Sequence, residues 1–165
     1  MKILENLAKL CAILAGILLT TITLMTCASV IGRETIGKTI TGDFELSGVA
    51  AGAAIALFMP WCQFMRGNIF VDFFTAKASE KTQVNMERFG ALLLGVVMAV
   101  LTWRTVLGGL NAYNTNSGTM MLGFPEYVVY TAMVPPLALT AVIAFSQALF
   151  GFTATDKEAN PELAV

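Results

Sequence analysis

The sequence predicts an all-α, polytopic integral membrane protein: four transmembrane helices, with a short interfacial helix between the second and third. Three observations carry that prediction. Four long apolar runs, at about 10–31, 46–65, 89–110 and 127–150, fill most of the 165 residues. Each is about 20 to 24 residues long, and a helix rising 1.5 Å per residue needs about 20 to cross a hydrocarbon layer of roughly 30 Å. The composition agrees: 56% hydrophobic, 13% charged and a mean hydropathy of +0.73 leave a chain of this size too little polar surface to cover a soluble core. Residues 1–152 are therefore read as one four-helix transmembrane domain, and 153–165 as a polar tail.

The first span follows Lys2 and Lys9 and runs apolar to Ile31. A signal peptide has a shorter apolar stretch ending in small residues, so this segment is expected to stay as a span. Gly32, Gly37 and Gly42 punctuate the loop that follows, and Thr41 or Asp43 is placed to cap the second span. After that span, Ile69, Phe70, Phe73 and Phe74 recur at helical spacing beside Asn68 and Asp72. This pattern suits a short helix lying in the headgroup layer with its aromatic face down. From Ser79 nothing breaks the helix until Gly108-Gly109, which are expected to end the third span together with the Asn-rich stretch 111–116. The fourth span contains Pro135-Pro136, expected to kink it.

Orientation follows from where the cations fall. With the N-terminus inside, Lys2, Lys9, Arg66, Lys77, Lys81, Arg88 and Lys157 gather on the cytoplasmic side, against Arg33 and Lys38 outside. Both termini are then cytoplasmic.

The inventory of chemistry is short. The chain has no histidine, and Cys11, Cys27 and Cys62 form no CxxC pair. No catalytic residue, metal site or cofactor is expected, and the protein reads as no enzyme. All carboxylates lie at or beyond the ends of the apolar runs, whereas a proton-coupled carrier needs an ionisable group at membrane depth. One charge does lie inside a span. Arg104 falls in the outer half of the third, and either pairs with Glu45 or Glu126 as a clamp across the outer ends of the helices, or reaches lipid phosphates along its stem. Small residues at Gly48, Gly52 and Ala56, and at Ala8, Ala12 and Gly16, form ridges for close packing, either internal or toward a partner.

Several segments together resemble the small membrane subunit of tripartite ATP-independent periplasmic (TRAP) transporters. They are Arg33 after the first span, Gly42-Asp43-Phe44-Glu45-Leu46 opening the second, Arg66-Gly67-Asn68-Ile69-Phe70-Val71-Asp72 closing it, and Gly123-Phe124-Pro125-Glu126-Tyr127 entering the fourth. Many members have His at the position of Asn68; a polar donor is retained. The resemblance implies a scaffold in the bacterial inner membrane. It would pair with a large multi-span subunit for sodium-coupled uptake of an organic acid delivered by a periplasmic binding protein, which Glu34, Lys38 and Asp43 could touch. Membrane lipids are the other expected partner, and nucleic acid is not one. The alternatives are the small subunit of a tricarboxylate-type tripartite transporter or a self-contained four-helix carrier.

Overall fold

The computed structural model describes residues 2–65 and 80–150. The expected interfacial helix at Asn68, Ile69, Phe70, Asp72, Phe73 and Phe74, and the tail, lie outside the described residues. Within them the chain forms four helices: α1 (Lys2–Ile36), α2 (Asp43–Phe64), α3 (Glu80–Thr115) and α4 (Glu126–Phe150). All four are long and apolar enough to cross a membrane.

The helices outrun the apolar runs because helix ends answer to breakers and caps rather than to hydropathy. α1 starts at Lys2, where Glu5 and Lys9 form an i,i+4 pair of 2.8 Å, and stops only at Gly37, whose φ of 70° is left-handed. The Gly37 N–H bonds back to Arg33 O at 3.2 Å, and Lys38 N–H reaches Gly32 O at 3.3 Å. Gly108-Gly109 do not end α3, contrary to expectation, whereas the Asn-rich stretch does end it, as expected. The helix continues to Thr115, and Asn116, at a φ of 49°, makes the left-handed turn that asparagine tolerates. The glycines serve packing instead: a Cβ on Gly109 would lie 2.9 Å from Tyr130 Cβ, and one on Gly95 would lie 3.1 Å from the Phe145 ring. These helix backbones approach more closely than larger residues would allow.

Two seams organise the packing. Along α1 the buried residues are Ala8, Ala15, Ile22 and Ser29, with Leu4, Cys11, Leu18 and Met25 half-buried between them, so that the seam alternates steps of four and three. Along α3 the buried residues are Ala91, Gly95, Met98 and Ala112, with Thr102, Thr105 and Gly109 half-buried at the same alternation. A 3-4 repeat on each helix is the signature of near-parallel, coiled-coil-like contact. Of the expected α1 ridge, Ala8 is buried and Ala12 and Gly16 are half-buried, and an added Cβ on Gly16 would meet nothing within 4 Å.

α1 packs on α2, α2 on α4, and α4 on α3, while α3 has no comparable contact with α1 or α2. The four helices stand as an open row in the order α1, α2, α4, α3. Ala56, Met98, Leu137 and Ala141 form the shared core of α2, α4 and α3. Ala8, Phe64 and Ile143 draw α1, α2 and α4 together at the end of the row where α1 begins.

Candidate functional site

Two regions concentrate polar side chains: the end of the row where the α1–α2 and α3–α4 connections meet, and the buried contact between α2 and α4 at the opposite end. At the loop end, Ser29 is buried on the α1 seam. Its hydroxyl donates to the Asp43 carboxylate and accepts the Ile40 N–H at 3.3 Å. The other oxygen of Asp43 accepts the Phe44 N–H at 2.7 Å, satisfying one of the free donors at the start of α2. Gly42 precedes it at a left-handed φ of 79°.

One turn further on, Glu45 crosses to the other connection. Its carboxylate accepts Met121 N–H at 2.9 and 3.2 Å and Leu122 N–H at 3.3 Å. The Leu122 side chain lies on Gly42 so closely that a Cβ there would be 2.4 Å from Leu122 Cγ. The second connection is itself a tight hairpin, with Thr119 N–H to Phe124 O at 3.0 Å, Gly123 N–H to Thr119 O at 2.9 Å and Glu126 N–H to Ser117 O at 3.1 Å. The result is a knot that locks both loops to the head of α2. Its tip carries Met120, wholly exposed, beside exposed Met121, and Phe44 is exposed on the α2 side.

This geometry corrects the expected clamp. Arg104 makes no ion pair with Glu45 or Glu126 among the described residues, where the salt bridge formed is Lys9–Glu5. Glu45 is committed to the 119–123 loop, where two backbone amides of the hairpin donate to it, and α3 makes no principal contact with α2. Glu126 sits half-buried in the first turn of α4. Arg104 is exposed on the flank of α3 turned away from its seam. Of the residues expected to meet a binding protein, Glu34 and Lys38 are exposed at the loop end, while Asp43 is held by Ser29. The Gly48, Gly52 and Ala56 ridge divides. Ala56 is buried in the core, whereas Gly48 and Gly52 face open space with nothing within 4 Å of an added Cβ.

The second polar region was missed in the sequence. Gln63 on α2 and Gln147 on α4 are both buried. The Gln63 amide donates to Gln147 Oε1 at 2.7 Å, and the Gln147 amide donates to Gln63 O at 3.2 Å. An interhelical amide pair in apolar surroundings contributes on the order of 0.6–2 kcal/mol. The available signal was one glutamine near the same end of each of two otherwise apolar runs. Above Phe64, Trp61 is stacked at 6.0 Å between ring centres, with the Lys9 ammonium 5.6 Å from the Trp61 ring centre.

Most of the remaining hydroxyls of the spans bond to their own helices, and Thr26 on α1 also meets the Ser47 hydroxyl on α2 at 3.3 Å. Thr20, Thr21, Thr23 and Thr26 on α1 each donate to the carbonyl four residues back at 2.8 to 2.9 Å. Thr102 and Thr105 on α3 and Thr131 and Thr140 on α4 do the same. A hydroxyl so engaged has its donor satisfied and can face lipid at little cost. Among the described residues no cluster of three or more potential metal ligands occurs.

Four helices of membrane length and apolarity define a polytopic α-helical membrane protein. A family model described as tripartite ATP-independent periplasmic transporters, DctQ component, matches residues 22–154. The chain belongs to that family, the small membrane components of TRAP transporters, which work with a large membrane subunit and a periplasmic binding protein. No curated protein and no solved structure matches it.

Proposed function

We propose that this chain is the scaffold subunit of a TRAP transporter and does not itself form the solute path. The observation that carries this reading is the internal satisfaction of the span hydroxyls, together with the absence of any acidic residue within the apolar runs. A carrier must bind and release a hydrated solute or ion at membrane depth, which needs polar groups free to exchange partners. The family membership favours the TRAP reading over a tricarboxylate-type small subunit, and the spent hydroxyls disfavour a self-contained carrier.

In this reading the large subunit moves an organic acid with sodium, and the small one sets the depth and tilt of the assembly in the inner membrane. The excess of Lys and Arg at the terminal end supports cytoplasmic termini. The loop knot then faces the periplasm, with Glu34 and Lys38 beside it, where a binding protein delivers its load. The test is reconstitution of the large subunit with and without this chain, and of this chain alone, in proteoliposomes supplied with loaded binding protein and a sodium gradient. Uptake only when both subunits are present is the expected result. Uptake by this chain alone overturns the scaffold reading.

A further inference from the structure

α3 is the outermost helix of the row, packed on α4 through one seam. The flank turned away from that seam is continuous and exposed: Met86, Phe89, Leu93, Val97, Val100, Arg104, Leu107 and Asn111 follow each other in steps of three and four. That is the same repeat by which the buried seam of α3 engages α4, now without a helix against it.

Arg104 decides what covers this flank. It lies six residues short of Leu110, where the apolar run ends, or roughly 9 Å along the axis. A guanidinium at that depth needs a counter-charge or hydrogen-bond acceptors. Neither candidate carboxylate pairs with it: Glu45 is bound to the Met121 and Leu122 amides, and no ion pair among the described residues includes Arg104. Lipid phosphate is the other source of negative charge, but the direction is unfavourable. A helical side chain leaves the backbone tilted toward the helix N-terminus, so Arg104 starts toward the middle of the apolar run and away from the nearer surface at Leu110. The geometry holds whichever way the chain is oriented. A protein carboxylate presented at the same depth answers both the charge and the direction.

Resting on the scaffold reading above, we propose that the outward flank of α3 centred on Arg104 is the docking surface for the large membrane subunit, a helix of which presents a carboxylate to Arg104. Val97, Val100 and Leu107 pack around the pair and exclude lipid from it. A charge-assisted pair at this depth selects one partner and one register, while the apolar stripe alone would accept any helix.

The experiment uses the chain co-expressed with the large subunit of its transporter. A benzophenone amino acid is placed singly at Val97, Val100 and Leu107, and products of illumination are identified by mass spectrometry. In parallel, retention of the large subunit on tagged wild type, Arg104→Lys and Arg104→Leu is measured at equal membrane levels of the chain. The expected result is adducts with the large subunit at all three positions, and at least tenfold lower retention on Arg104→Leu with most retained on Arg104→Lys. Adducts confined to lipid or to a second copy of this chain overturn the proposal, and so does undiminished retention on Arg104→Leu. Failure of the wild type to retain the large subunit at all overturns the scaffold reading itself and this surface with it.

Discussion

Gly42 sits at a left-handed φ of 79°, and a Cβ on it would lie 2.4 Å from Leu122 Cγ. Gly42→Ala must therefore strain the backbone and push Leu122 off the head of α2, at a cost of about 1–3 kcal/mol. A lowered midpoint of thermal unfolding in detergent is the expected outcome; an unchanged midpoint would show that the two loops are not locked there. Glu45 makes the other half of the knot. Removing it by Glu45→Ala frees the Met121 and Leu122 amides, which are expected to exchange with deuterium about tenfold faster or more, while amides in the middle of α2 keep their protection. Residue type alone pointed to the wrong partner for Glu45, because Arg104 was the visible opposite charge. Backbone N–H groups carry no signature in the sequence, so only the folded hairpin reveals them as acceptor-seeking neighbours.

At the scale of the helices, glycine has two meanings that the chain does not distinguish by letter. Gly109 lies under Tyr130, and Gly109→Ala is expected to cost about 1–3 kcal/mol through overpacking against the rigid base of that side chain. Gly48 faces open space, and Gly48→Ala is expected to raise stability by about 0.5–1 kcal/mol, the gain of alanine over glycine in a helix. Unfolding midpoints moving in opposite directions would check both at once. The Gln63–Gln147 contact permits a double-mutant cycle. Gln63→Leu removes the donor to the buried Gln147 Oε1, at about 1–3 kcal/mol, and the double change to leucine is expected to lose less than the sum of the two singles. Strict additivity would mean that the amides do not interact across α2 and α4.

Across the whole molecule, the open row leaves α1 and α3 at the edges, each with one principal neighbour. A self-contained channel needs a ring of helices around a path, and a row has no interior to line. The row offers two long faces, and Arg104 lies on the one formed by α3. Its orientation can be checked by labelling. In a background lacking Cys11, Cys27 and Cys62, Lys38→Cys is expected to react with an impermeant maleimide in intact cells. Lys2→Cys is expected to react only after permeabilisation. The reverse pattern would invert the topology and place the loop knot in the cytoplasm.

The sequence by itself determined the class of protein, the number of spans and their approximate limits. Hydrocarbon imposes a length and a polarity on any segment that crosses it, and both are readable without knowing what the segment touches. It also contained the family resemblance, carried by local runs such as Gly42-Asp43-Phe44-Glu45-Leu46. What only the tertiary structure decided is which face of each helix meets which neighbour. All four spans are apolar around most of their circumference, so hydropathy does not mark a buried side as it does in water. The order α1, α2, α4, α3, the use of Gly108-Gly109 for packing rather than termination, and the capture of Glu45 by a hairpin 76 residues away all depend on close contacts between small residues and on backbone hydrogen bonds. Those interactions discriminate by shape at a few ångströms, and shape exists only once the helices have met.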